Sequence, residues 1–598
     1  MSAGADAIRA GVNSEWLRAL ALTQRIVAQP NRVLPVIIGE LAQTLGEHPA
    51  LLSERECLSY GMLAERVNRY ARWALGQELG KGEVVALLMP SCPEYMAIWL
   101  GITLAGGVVA LLNTNLSGVS LAHCIDIAGA ERIIVATELL DAFSEAQPHL
   151  TSDPKVWLHG GDTGDLSSIE RMLERASGEP LGRRERAPPA ISDRALLIYT
   201  SGTTGLPKAA NISHRRLLTW SLWFAGMMDT RPSDRMYNCL PMYHSVGGIV
   251  ATGAVLVNGG SVVIRDRFSA RQFWDDITRW DCTLFQYIGE LCRYLALAGP
   301  HPREAKHRIR LCCGNGLRPD IWQTFKDRFH IPRILEFYAS TEGNVTLFNC
   351  EGKPGALGRI PPFLAHRSPT ALVRFDVEKG AVVRNAQGRC VRCRTDETGE
   401  AIGRISEARS DPGSPFEGYT NSRDTQQKIL RDVFESGDAW FRTGDLMRTD
   451  KQGFFYFIDR IGDTFRWKGE NVSTTDVAQA ITAFAGVVEA NVYGVRIPGT
   501  EGRAGMAAIV VDERFELAAF NRHLARRLPA YARPLFLRLV REVEITVTFK
   551  QKKADLVADG YNPKTLQDPI YFNDASRQCF VPLDDALHAA IEGGQVRL

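Results

Sequence analysis

Residues 269–288 read Ser269-Ala270-Arg271-Gln272-Phe273-Trp274-Asp275-Asp276-Ile277-Thr278-Arg279-Trp280-Asp281-Cys282-Thr283-Leu284-Phe285-Gln286-Tyr287-Ile288. Ser269 followed three residues later by Gln272 is a helix-start signature. Phe273, Ile277 and Trp280 then recur at helical spacing, and Thr283 to Ile288 forms an apolar run of strand length. The same helix-then-strand rhythm appears in Leu63 to Ala74 with Glu83 to Met89, and in Ile321 to Phe329 with Ile334 to Tyr338. Such alternation predicts an α/β fold with mostly parallel sheets.

Past residue 460 the pattern changes. Val487 to Val495 and Met506 to Val511 read as strands around a turn rich in Gly and Pro. Leu517, Phe520, Leu524 and Leu528 mark a helix face that ends at Pro529, and Leu535 to Val540 is a further strand. The expected organisation is a large, multi-lobed N-terminal α/β body over residues 1–460 and a small α+β domain over residues 461–598. The polar, turn-rich residues 377–400 read as a small β region. A cleft between unequal domains is a usual place for a ligand.

Composition narrows the function. With 598 residues, 45% hydrophobic and 23% charged, the chain is neither disordered nor fibrous. The 70 basic and 68 acidic residues give a net charge of +2, so no electrostatic footprint for nucleic acid is present. The 12 scattered cysteines fit a reduced compartment, and the lone Cys390-Val391-Arg392-Cys393 lacks a second pair to make a zinc site. Tyr95 to Leu112 carries no charge, but Gly101, Gly106 and Gly107 interrupt it. It reads as a buried helix, a turn and a buried strand rather than a membrane span.

The sharpest chemical segment is Tyr199-Thr200-Ser201-Gly202-Thr203-Thr204-Gly205-Leu206-Pro207-Lys208. It follows the apolar strand Ala195 to Ile198. Glycines let the backbone approach a ligand, and successive N–H groups, hydroxyls and a lysine suit a polyphosphate. The GxxxxGK[ST] spacing of a Walker loop is absent. Four further segments are weak alone and read as ordinary turns or loops. They are Gly314-Asn315-Gly316-Leu317, Tyr338-Ala339-Ser340-Thr341-Glu342, Arg442-Thr443-Gly444-Asp445 and Asp459-Arg460-Ile461-Gly462-Asp463.

Taken in order, these motifs resemble the adenylate-forming superfamily of acyl-CoA synthetases, luciferases and peptide synthetase adenylation domains. Tyr338 to Asn344, with Phe465 to Val472, is similar to its fatty acid transport protein, or very-long-chain acyl-CoA synthetase, branch. The resemblance runs from about residue 50 to residue 585. It implies that Thr200, Ser201, Gly202, Thr203, Thr204, Gly205 and Lys208 hold phosphates. It implies that Gly314, Asn315 and Gly316 line the adenine side, that Tyr338 stacks on adenine, and that Thr341 is a further cofactor-binding residue. Asp445 would accept from the ribose hydroxyls, and Arg460 would contact ribose or phosphate. Glu342 would bind Mg²⁺, as a hard carboxylate ligand can. Lys550 matches the C-terminal catalytic lysine, although Val547 stands where the usual string has Gly, and Lys552 and Lys553 lie nearby. His244, in Pro241-Met242-Tyr243-His244-Ser245, matches an acyl-pocket histidine, and a structural role for it stays open. Lys550, Glu342, Thr204 and His244 are the expected catalytic set.

The implied activity is ATP-dependent ligation of a long- or very-long-chain fatty acid to coenzyme A, giving AMP and pyrophosphate. ATP, Mg²⁺ and coenzyme A are the expected cofactors and co-substrates. The C-terminal domain is expected to rotate about Gly462 between half-reactions. Transfer to a carrier protein and a purely fatty acid-binding or uptake role stay open as alternatives. So do bile, sterol-derived and aryl acids as substrates. The expected location is the cytoplasm, with peripheral contact at the inner membrane face.

Overall fold

The computed structural model describes residues 2–161, 167–182, 184–186, 188–200, 206–367, 370–405, 416–543, 553–596 and 598. The chain forms two compact units. One comprises Met1–Pro369, Gly403–Arg431 and Ala439–Phe441; the other comprises Thr370–Ile402, Asp432–Asp438 and Arg442–Leu598.

The first unit is the large α/β body, built on two mostly parallel sheets. The seven-stranded sheet runs Ser167–Ser168, Lys155–His159, Ala130–Ala136, Val84–Leu88, Val108–Leu111, Arg194–Thr200, Lys208–Ser213. Only its last pair is antiparallel. Val84–Leu88 and Val108–Leu111 are buried along their whole length, as strands covered on both faces must be. The eight-stranded sheet runs Leu347–Asn349, Ile334–Tyr338, Leu311–Asn315, Leu284–Ile288, Arg235–Asn238, Ser261–Ile264, Pro49–Leu52, Cys57–Ser59. Its two edge pairs are antiparallel and the rest parallel.

The helix–strand reading of residues 269–288 resolves into a helix Phe273–Arg279 and a strand Leu284–Ile288. Ser269 Oγ accepts from the Gln272 N–H at 3.4 Å. The uncharged stretch from Tyr95 divides as expected into a helix Pro93–Leu104, a turn at Gly106 (φ 90°) and a strand Val108–Leu111. Residues 93–103 of that helix are almost all buried, which explains why no amphipathic stripe marks it. No described helix is long and apolar enough to cross a membrane.

One element was not anticipated. Ser2–Ala28 forms a 27-residue helix. It packs along the helix His214–Met228, with Trp16 edge-on to Trp223 at 5.9 Å and to Phe348 at 5.7 Å. More than half of its residues are apolar, but they do not gather on one stripe, and tertiary packing supplies what periodicity lacks.

The second unit contains the small α+β domain. Its five-stranded sheet runs Val487–Val495, Ala504–Val511, Phe536–Leu539, Ile570–Asp574, Cys579–Pro582. Phe520 and Leu524, from the predicted helix face, are fully buried with Met506, Ile509 and Phe536 in its core. Ahead of it lies a hairpin, Phe465–Trp467 paired with Glu470–Val472. Its two turn residues, Lys468 and Gly469, both have positive φ (52° and 82°), the geometry that fits strand twist in a two-residue turn.

Trp99, 1% exposed in the helix Pro93–Leu104, tests how closely the first unit is packed. Trp99→Ala is expected to destabilise that unit by about 3–5 kcal/mol. The check is the shift of its unfolding midpoint in urea; a shift worth less than about 1 kcal/mol would mean the site collapses without a cavity.

Candidate active site

The predicted residues fall into two groups, one in each unit. In the first unit they gather at the carboxyl ends of parallel strands, where open α/β sheets bind ligands. Leu311–Asn315 and Ile334–Tyr338 are neighbours, with Gly314 opposite Glu336, so Asn315 and Tyr338 end adjacent strands. Asn315 Oδ1 is buried without a hydrogen-bond partner among the described residues. Gly316 follows with φ 78°, a conformation that favours glycine. A side chain at Gly314 would run into Tyr287. The backbone there is kept bare beside an unused acceptor.

Glu336 anchors this loop from behind. It is 3% exposed, and Tyr287 beside it is fully buried. Glu336 Oε1 accepts the Leu317 N–H at 3.0 Å, and its carboxyl also takes a backbone bond from Gly316. Tyr287 donates its hydroxyl to Oε2. Burial pushes the Glu336 carboxyl up to about 8, opposed by these bonds. One side chain thus ties together the ends of three adjacent strands.

Glu342 lies in the turn after Tyr338. Tyr419 donates to its Oε1 at 3.0 Å, and Lys428 Nζ lies 3.9 Å from the same oxygen. Both of these contacts fall on Oε1. Thr200, the last residue of its strand, hydrogen-bonds Tyr419. Lys208 opens the next strand, 2.8 Å from Asp424 Oδ1 and 5.9 Å from the centre of the Tyr419 ring. Burial, then the neighbouring Glu342, holds the Tyr419 phenol well above its ordinary range. The Tyr419 segment is fixed by backbone pairing: Asn211 donates to Gly418 at 3.0 Å and Thr420 donates to Ala209 at 2.9 Å. The strand that starts at Lys208 therefore also carries the residues that hold Glu342.

His244 precedes a π-helical turn, Val246–Val250, with its ring 4.7 Å from the Tyr243 ring. Its neighbour Ser245 hydrogen-bonds the Thr341 hydroxyl at 3.0 Å. This brings the predicted acyl-side segment to the Thr341–Glu342 turn. Tyr243 is tied in turn to Asn115 at 3.2 Å.

In the second unit, Asp445 and Arg460 are register partners on paired strands, with Arg460 Nε 3.7 Å from Asp445 Oδ1. Gly462 has φ 99° and open space where a side chain would project. Asp459 is buried and accepts from Thr474, by its N–H at 2.6 Å and by its hydroxyl. Lys553 lies 3.1 Å from Asp463 and donates to Thr474 at 2.7 Å. Lys553 is thereby committed to the residues after Arg460. Ser201, Gly202, Thr203, Thr204, Gly205 and Lys550 lie outside the described residues.

Sequence reasoning missed Tyr419, Asp424, Lys428, Glu336, Arg216 and Glu417. Glu336 had a signal, as the one acid in the otherwise apolar run Ile334 to Tyr338. Tyr419 and its neighbours had none, because their place is set by pairing to a strand about 200 residues earlier.

The class defined by this arrangement is that of the AMP-forming adenylating fold. A solved anthranilate CoA ligase in complex with anthranoyl-AMP superposes with a TM-score of 0.74 at 21% identity, covering 88% of this chain and 96% of that one. The chain matches the AMP-binding enzyme family over residues 40–389 and the AMP-binding enzyme C-terminal domain over residues 476–550, and it belongs to that family. It is 39% identical to long-chain fatty acid transport protein 2 of Rattus norvegicus, over 94% of this chain and 91% of that protein. It is 40% identical to long-chain fatty acid transport protein 6 of Mus musculus, over 92% and 88%.

The raised Glu336 carboxyl gives a pH prediction. Its folded value, about 8, lies above the ordinary 4.5, so the folded state holds an extra proton between those pH values. The stabilisation it brings is full below about 4.5 and is lost as pH rises through about 8. Thermal unfolding of the wild type should fall over that window relative to Glu336→Gln, which cannot titrate. Parallel pH profiles for the two proteins would contradict it.

Proposed function

We propose that this protein is an AMP-forming ligase that joins a long-chain fatty acid to coenzyme A. A carboxylate oxygen of the acid attacks the α-phosphorus of ATP, and pyrophosphate leaves. The coenzyme A thiolate then attacks the carbonyl carbon of the acyl-adenylate, and AMP leaves. The long acyl chain follows from the name shared by the relatives, and the adenylation from the family.

The observation that carries the reading is the convergence of Thr200, Lys208, Tyr419, Glu342 and Lys428 in one polar cluster beside the strand ends of Asn315 and Tyr338. The unpaired Asn315 oxygen suits the amino group of adenine. Glu342 suits Mg²⁺, whose contribution when bound is to neutralise charge on the phosphate oxygens. Joining two anions needs further cations, and Lys208 and Lys550 are assigned to that work. Thr204 belongs to the phosphate loop, with Ser201, Gly202, Thr203 and Gly205. Asp445 takes the ribose hydroxyls and Arg460 the ribose or phosphate; His244 borders the acyl group. We assign the moving domain to residues 461–598, with Gly462 as its hinge. Its open surroundings and positive φ tolerate large backbone changes. A cytoplasmic location with peripheral membrane contact fits an acid that partitions into lipid.

Pyrophosphate release from Mg-ATP, measured over a panel of carboxylic acids with and without coenzyme A, tests this reading. Turnover on long-chain acids with thioester formation is expected. Release without thioester would point to a carrier-protein acceptor, and no release with any acid would overturn the reading. Lys550→Ala should lose adenylation roughly a thousandfold, about one charge at 4 Å in a dielectric of 20, yet still convert supplied acyl-adenylate. Equal loss in both half-reactions would remove Lys550 from its role. Asp445→Ala should raise the KM for ATP roughly tenfold or more, the worth of a charge-assisted hydrogen bond. An unchanged KM would exclude Asp445 from the ribose.

A further inference from the structure

Arg216 is fully buried in the first turn of the helix His214–Met228. A guanidinium out of water is tolerated only where acceptors and counter-charges meet it. Here it donates to the Thr341 carbonyl at 2.7 Å and to the Gly343 carbonyl. Its guanidinium carbon lies 4.6 Å from the centre of the Trp220 ring. Glu417 and Glu342 act on it as counter-charges, while burial pulls it down to about 10, so it stays a cation at neutral pH.

The two carbonyls belong to the residues on either side of Glu342. Both bonds come from one nitrogen, Nη2, of a planar guanidinium packed on the Trp220 ring, and this shared donor fixes the peptide planes from which Glu342 projects. The grip is itself held. Ser213, the helix cap, accepts from the Arg216 N–H at 3.2 Å and donates its hydroxyl to Glu417 Oε1. Glu417 Oε2 accepts the Ser213 N–H at 2.7 Å. Two residues beyond Glu417, Tyr419 donates to Glu342 itself. Hydrogen bonds thus run from Ser213, at the end of the strand Lys208–Ser213, to the Arg216 backbone and to Glu417; Glu417 acts on the guanidinium as a counter-charge, and Arg216 bonds both flanks of Glu342.

We propose that Arg216 is a positioning residue for Mg-ATP: it fixes the Thr341–Gly343 turn so that Glu342 presents its carboxylate to the cation. It touches neither cation nor nucleotide. The proposal rests on the adenylation reading above. An arginine serving only the core would leave cation affinity untouched when replaced, whatever its effect on stability.

The test is calorimetric binding of ATP to the full-length protein, without carboxylic acid, as Mg²⁺ is varied. Thermal unfolding is followed in parallel. Arg216→Lys keeps the charge but loses the planar guanidinium that holds one donor between the two carbonyls. It is expected to raise the Mg²⁺ needed for half-maximal ATP binding roughly 10–100-fold, the effect typical of partners that orient a metal ligand. ATP binding without Mg²⁺ should change less than about twofold, because only the cation's ligand is loosened. If Arg216→Lys does not fold, Glu417→Gln serves in its place and should shift the Mg²⁺ requirement in the same direction. A folded variant with the wild-type Mg²⁺ requirement overturns the proposal. So does equal weakening with and without Mg²⁺. A wild-type protein that binds no ATP at any Mg²⁺ concentration would instead overturn the adenylation reading, and this proposal with it.

Discussion

The buried carboxyl of Glu336 is the constraint around which the strand ends at Asn315 and Tyr338, the proposed nucleotide side of the first unit, are arranged. By accepting from Leu317, Gly316 and Tyr287, it locks the ends of three neighbouring strands into one rigid edge. Buried polar groups of this kind are stabilising only when every bond is made. The edge it creates presents Asn315 and Tyr338 side by side, with glycine backbone between them. Six residues later Glu342 has the opposite environment, at a turn with Lys428, Arg216 and a phenol around it. Two carboxylates close in sequence are thus set apart by burial: one retains a proton to near pH 8, the other lies among positive charges.

The second unit contributes a different kind of chemistry. Asp445 and Arg460 face each other across one strand pair, and the chain then leaves that pair through Gly462. Lys553, tied to Asp463 and Thr474, braces the residues just past the hinge. On the proposed reading Lys550, three residues earlier, is the lysine for catalysis.

Most of the architecture was legible in the sequence because α/β folds repeat one local rhythm. Residues 269–288, 63–89 and 321–338 each gave a helix and a strand where periodicity placed them. The strands Val487–Val495 and Ala504–Val511 and the helix Leu517–Arg527 were equally plain. The helix Ser2–Ala28 was not, since its stability comes from packing on His214–Met228 rather than from its own pattern. The candidate residues could be singled out in the sequence where they form contiguous motifs: Gly314 to Leu317, Tyr338 to Glu342 and Arg442 to Asp445. Arg216, Glu417 and Tyr419 escaped because each acts through a long-range contact, and a lone arginine after a helix cap gives no hint that it is buried.

The central claim is that the acid's own oxygen ends on the α-phosphorus of ATP. It is tested most directly with a long-chain fatty acid labelled with oxygen-18 in its carboxylate, turned over with ATP and coenzyme A. Mass spectrometry of the nucleotide product should find AMP carrying one labelled oxygen from the acid, with none in pyrophosphate. Unlabelled AMP, or ADP as the nucleotide product, would contradict the account.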